Sequence, residues 1–196
     1  MSGANARPTR RSKQLTARRV RVEIAANSPS PGRGRGTVMD FEIIKRLLAA
    51  LERERVRYAI FGAVALNLHG LARFTEDLDL FVEPEAGNIE RLKAALRAVI
   101  DDPEIENITA QDLLGDYPAV QYIPPDGAFH VDILTRLGEA FSFADLKTER
   151  VAFGDVTVSV VTPRTLYDMK KDTVRLKDRA DAQILKDRFG LTDEES

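Results

Sequence analysis

The sequence predicts an α+β fold built on a mixed sheet flanked by helices. Three observations predict it. Stretches with the two-residue alternation of strands and stretches with the 3.6-residue period of helices are both present. They are interleaved without regular strand–helix alternation, so a wholly parallel sheet is not expected. No internal repeat is present, and 196 residues with 43% hydrophobic and 31% charged side chains fit one or at most two globular domains.

The formal net charge of −2 hides an asymmetry. Residues 1–37 hold nine Lys or Arg and one acid, Glu23, while the remainder holds 20 basic and 30 acidic side chains. A basic tail of +8 therefore precedes an acidic body of −10. Residues 1–38 read as a disordered extension, because Arg, Ser, Pro and Gly with few large apolar residues cannot offset ordering entropy by burial. Val20–Ile24 alternates like a short strand inside it. Residues 39–190 read as the globular domain and 191–196 as a tail. With no Cys, disulfides, thiolate metal sites and a cysteine nucleophile are excluded. No apolar leader and no apolar run of spanning length is present, so a cytoplasmic protein without membrane attachment is expected.

The elements follow in order. Asp40 caps a helix whose Phe41, Ile44, Leu47, Leu48 and Leu51 share one face. Arg57–Phe61 reads as a strand ending at Gly62. Ala63–His69 is a helix stopped by Gly70. Asp77–Val82 is a strand ended by Pro84, and Asn88–Ile100 is an amphipathic helix. Residues 101–116 read as acidic and irregular. Val120–Ile123 and Phe129–Leu134 are strands around a Pro124-Pro125-Asp126-Gly127 turn. Arg150–Phe153 and Val156–Val161 form a hairpin about Gly154-Asp155. Thr162-Pro163 starts a helix to about Asp172, and a last helix runs from about Lys177 to Arg188.

The chemistry is concentrated between Phe61 and Leu80. Residues i and i+2 of a strand share a face, so Asp77 and Asp79 project together, about 7 Å apart at the backbone, while Leu78 and Leu80 face the core. A half-exposed strand often carries such acids as a solvated face only. Asp is depleted in strands, however, and Asp132 repeats the pattern between Val131 and Ile133. Like charges held together repel unless a cation lies between them, and a hard divalent ion such as Mg²⁺ takes oxygen ligands of this kind. Three carboxylates on neighbouring strands can hold two Mg²⁺ ions, one serving the attacking oxygen and one the triphosphate and leaving pyrophosphate. Gly62 opens a helix, where backbone N–H groups can face phosphate. His130 shares the direction of Asp132 and edges the same face, whereas His69 reads as a helix cap.

Phe61-Gly62-Ala63, a spacer, then Asp77-x-Asp79 resembles the signature of the DNA polymerase beta-type nucleotidyltransferase superfamily. The Arg73-x-Thr75-x-Asp77-Leu78-Asp79 form looks most like the bacterial abortive-infection and toxin–antitoxin nucleotidyltransferases (AbiEii-like). The resemblance covers roughly residues 41–185. It implies the polymerase-beta-like fold with C-terminal helices and transfer of a nucleoside monophosphate from an NTP, with Asp77, Asp79 and Asp132 as metal ligands and catalytic acids. Gly62, Ala63, Arg73, Thr75 and Lys170 would meet the nucleotide; Arg73 either contacts phosphate or pins an acid. Arg175, Asp178 and Asp181, from the block that runs from Arg175 to Leu185, would order the site or touch nucleotide. Ala63 stands where many relatives carry Ser or Gly, so a side-chain hydroxyl is missing there and only backbone contacts remain. The implied acceptor is RNA, such as tRNA, or protein, and the implied partner a cognate antitoxin. A small antibiotic acceptor and a silent nucleotide- or RNA-binding member are the alternatives.

Overall fold

A computed structural model describes residues 18–19, 41–115, 118–127 and 129–193. The elements are β1 (Arg18–Arg19), α1 (Phe41–Arg53), β2 (Tyr58–Phe61), α2 (Gly62–Leu68), β3 (Asp77–Val82), α3 (Ala86–Arg97), α4 (Ala110–Leu114), β4 (Ala119–Tyr122), β5 (His130–Leu134), β6 (Arg136–Leu137), β7 (Phe141–Ser142), β8 (Thr148–Phe153), β9 (Val156–Val161), α5 (Pro163–Lys171) and α6 (Leu176–Phe189). The Asp40 cap and the Val20–Ile24 strand fall outside the described residues.

Seven strands form one sheet in the order β1-β4-β5-β3-β2-β9-β8, and β6 and β7 form a separate hairpin. The sheet is mixed, as the irregular interleaving predicts: β2–β3, β4–β5 and β8–β9 are antiparallel, and β3–β5, β2–β9 and β1–β4 are parallel. The short hairpin β8–β9 turns at Gly154, whose φ of +63 suits glycine. The parallel pair β3–β5 needs a long crossover, and α3, α4 and β4 lie along it.

Leu78, Leu80 and Val82 of β3 and Val131 and Ile133 of β5 are buried in one core with Ile44, Leu47, Leu48 and Leu51 of α1 and Ile89, Leu92 and Leu96 of α3. The α1 side chains are those that helical spacing assigns except Phe41, which at the first residue of the helix stays exposed and stacks on Phe153. α1 packs on α3 and β9, and α5 packs on α6. Complete burial of each large aliphatic side chain contributes about 1.5–3 kcal/mol before entropy is set against it.

The structure departs from the sequence expectation in two stretches. Residues 101–116 are not wholly irregular: Asp102 accepts from the Glu104 amide and starts a 3-10 turn at Pro103–Asn107, and Thr109 accepts from the Asp112 amide and starts α4. Asp102, which reads as part of a solvated loop, is here a helix cap, as is Thr109. The short β6–β7 hairpin carries no alternation long enough to register in sequence, and only its pairing Arg136↔Ser142, Leu137↔Phe141 defines it.

Candidate active site

The floor of the site is set by strand period and register. Along β3, Leu78 and Leu80 are fully buried while Asp77 and Asp79 stay partly open. Along β5, Val131 and Ile133 are buried and Asp132 is partly open. The parallel register pairs Asp79 with Asp132 and Asp77 with His130. Three carboxylates from two adjacent strands therefore share one face, with strands about 4.8 Å apart.

Phe61 pairs with Asp79 across β2–β3, so the β2–α2 turn meets the acids at once. Gly62 has φ +67, and a Cβ there would run into the Asp79 carboxylate. Glycine is demanded twice, by conformation and by space. The Ala63 amide hydrogen-bonds Asp79. Burial first, then the charges of Asp132 and Asp77, push the Asp79 carboxyl up to about 7, against the opposing pull of Lys170 and the Ala63 amide. Burial also raises Asp132, opposed by a hydrogen bond from Gln121, with Asp77 adding to the rise.

Two neighbours hold the outer carboxylates. His130 Nδ1 lies 3.1 Å from Asp77 Oδ1, and Gln121 Nε2 donates to Asp132 Oδ1 at 2.9 Å. Among the described residues no three such side chains converge on one cation position. The donor set nevertheless fits a hard divalent cation: three carboxylates share one face of two adjacent strands, with Asp79 raised by burial first and then by the charges of the other two. A cation relieves that repulsion.

The facing wall comes from α5 and α6. Thr162 caps α5 by accepting from the Thr165 amide, with Pro163 in the first turn. Lys170 then points inward, with Nζ donating to Asp178 Oδ1 at 2.7 Å and Asp181 Oδ2 at 3.1 Å. Asp181 is 5% exposed and also pairs through Oδ1 with Arg73 Nε at 3.0 Å. The Asn67 side chain clamps the Arg73 backbone through both its N–H and its carbonyl. Of the two roles open to Arg73, the structure shows the pinning of an acid.

Gly62, Ala63, Thr75, Asp77, Asp79, Asp132, Lys170, Arg175, Asp178 and Asp181 line one cleft of about 540 Å³. Arg73 does not; it lines a neighbouring apolar pocket with Phe41, Phe74 and Phe153. Thr75 spends its hydroxyl on the Asp77 backbone, accepting from N and donating to O. Arg175 lies exposed on the cleft rim beside Lys177. Gln121 was not visible as a site residue in the sequence. The alternation Val120-Gln121-Tyr122 gives its face, but only the pairing Gln121↔Asp132 shows what it touches.

Among the described residues no helix is long and apolar enough to cross a membrane. In a direct sequence comparison no curated protein matches the chain. Solved structures that align with it include the solution structure of the antibiotic-resistance factor ANT(2'')-Ia, at 16% identity and TM-score 0.48 over 76% of this chain and 84% of that one. The crystal structure of ANT(2'')-Ia in complex with adenylyl-2''-tobramycin aligns at 15% identity and TM-score 0.47, over 76% and 89%. TM1012 of Thermotoga maritima, described as a nucleotidyltransferase, aligns at 14% identity and TM-score 0.47, over 76% and 91%. The sequence profile of the family described as nucleotidyl transferase AbiEii toxin, type IV TA system, matches residues 46–187, well over half of the chain. The cleft, with its three acids, lies within that span, and the chain belongs to the AbiEii family and is a nucleotidyltransferase.

Proposed function

We propose that the protein transfers a nucleoside monophosphate from an NTP to a hydroxyl of an RNA acceptor, with Mg²⁺ held by Asp77, Asp79 and Asp132. The observation that carries this is the register Asp79↔Asp132 beneath the Gly62 turn, which gathers three acids where a triphosphate has room to lie. Family membership implies an NTP substrate and a cognate antitoxin. The exposed Arg175 and Lys177 on the rim of an acidic cleft support a polyanionic acceptor, since they offset the repulsion an RNA would otherwise meet.

Bound Mg²⁺ supplies charge neutralisation and polarisation of phosphoryl oxygens. The chain's own residues do the rest. Asp132, whose proton affinity burial raises, accepts the proton of the acceptor hydroxyl. The freed oxygen forms its bond to the α-phosphorus as the bond to the bridging oxygen breaks, and pyrophosphate leaves with the electron pair. Lys170, fixed by Asp178 and Asp181, faces that departing charge. Gly62 keeps the turn clear of side-chain atoms, and the Ala63 amide exchanges its Asp79 contact for a phosphate oxygen.

The test is incubation of the full chain with each labelled NTP, Mg²⁺ and total cellular RNA. Labelled RNA that disappears with Asp77→Ala and with Asp79→Ala is the expected result. Label transferred to protein or to an aminoglycoside instead moves the acceptor class. NTP binding with no product across all three acceptors makes the chain a silent member of its family.

A further inference from the structure

Thr173 follows α5 directly, with its amide donating to the Lys170 carbonyl at 3.3 Å. It stands where two cavities meet. One is the acidic cleft; the other, of about 700 Å³, lies behind α5, and Leu137, Met169 and Thr173 line both. The Thr173 hydroxyl is buried, and among the described residues it has no hydrogen-bond partner. Burying such a group unpaired costs stability, so its retention calls for a compensating role.

Other inward donors of the cleft are engaged. Thr75 bonds the backbone of Asp77, and Lys170 bonds Asp178 and Asp181. Both keep those partners within the protein itself. Thr173 has none, and it sits three residues beyond Lys170, on the side of the cleft from which the ammonium acts. Thr173 lines the cleft, and its hydroxyl can change staggered position about the Cα–Cβ bond to meet a ligand without movement of the backbone.

We propose that Thr173 is a substrate-binding residue, its hydroxyl donating to a phosphate oxygen of the triphosphate. The inference rests on the reading of the cleft as the NTP site, and it adds a ligand that no acidic or glycine motif announces. A hydrogen bond to a charged oxygen, made only when substrate is present, is worth about a tenfold gain in affinity or more.

The test is calorimetric titration of inorganic tripolyphosphate, in magnesium buffer, into the full chain as wild type, Thr173→Val and Thr173→Ser, with a thermal melt of each. The expected result is binding about tenfold weaker in Thr173→Val, restored to within about threefold in Thr173→Ser, with Thr173→Val melting no lower than wild type. Equal affinity in wild type and Thr173→Val overturns the proposal and leaves the NTP reading standing. Weaker binding together with a lower melting temperature, unrescued by Ser, makes Thr173 a packing residue and also overturns it. A wild type that takes up no tripolyphosphate overturns both.

Discussion

Two charged clusters face each other across the cleft, and they are built on opposite electrostatic plans. On the helical side the two carboxylates that line the cleft are matched: Asp178 has Lys170, and Asp181 has Lys170 and Arg73. On β3 and β5 three carboxylates stand together, hydrogen-bonded among the described residues to a glutamine amide, a histidine ring and a backbone N–H, with Lys170 acting on Asp79 through its charge alone. The first cluster is complete within the chain. The second gathers like charge, and burial first, with the charges of Asp132 and Asp77 adding to it, pushes Asp79 up to about 7. A protein tolerates the second kind of cluster where something else is bound. The proposed function therefore places the chemistry on the strands, with Lys170 of α5 as a fixed positive charge opposite them.

The contrast can be broken by removing charge from each side in turn. The largest effect expected is on transfer itself: Asp79→Asn lowers the rate by about a hundredfold or more, measured with labelled NTP under the proposed assay. Gly62→Ala should come next. It forces a side chain into the Asp79 carboxylate at positive φ, costing more than about 1 kcal/mol and disturbing the acids, as read by denaturant melts and transfer rate together.

Lys170→Met tests the matched cluster. It leaves Asp178 without its lysine and the buried Asp181 with Arg73 alone, and that loss costs about 1–3 kcal/mol, visible as a fall in melting temperature. The opposite sign is expected from Asp79→Asn. A carboxyl with a raised folded-state value contributes stability below its unfolded value of 3.8 that is lost as pH rises towards about 7. The neutral variant should accordingly melt higher than wild type at pH 8, with the gain shrinking at pH 5. One charge deletion destabilising and the other stabilising is the sharpest form of the comparison, and two melts of the same sign would dissolve it.

The smallest expected effect is at Gln121. Gln121→Leu removes the donor that holds Asp132, and transfer should fall by about tenfold with melting little changed. Gln121→Asn, too short to span the same gap, should fail to restore it.

The strand side of the site was legible in sequence because period two is rigid arithmetic. Asp77, Asp79 and Asp132 alternate with residues that are buried, and no tertiary knowledge is needed to set them on one face of their strands. That β3 and β5 are neighbours was an expectation which only the parallel register settles. The helical side was less legible. Lys170 could be placed one turn after Leu166, but whether Asp178 and Asp181 meet nucleotide or lysine depends on how α6 lies against α5, and their hydrogen bonds go to the lysine. Arg73 illustrates the same limit. Its spacing from Asp77 fixes the loop length and not the direction of its side chain, which Asn67 and Asp181 decide. Among the elements, those with strong periodicity or a glycine stop were found to within a few residues. The capped short helices between Pro103 and Leu114 were not, since a cap is a hydrogen bond before it is a pattern.

The register of β3 on β5 has one more consequence, for quality control of the folded chain. Were β5 to turn over by one residue, Val131 and Ile133 would face the cleft, and Asp132 would be driven into the apolar layer beside Leu78 and Leu80. That error costs the core two aliphatic anchors and buries a charge without a partner. The arrangement that removes Asp132 from the cleft is thus also the one that fails to fold. Molecules of this chain that pass a stability check have, by the same pairing, already brought their acids together.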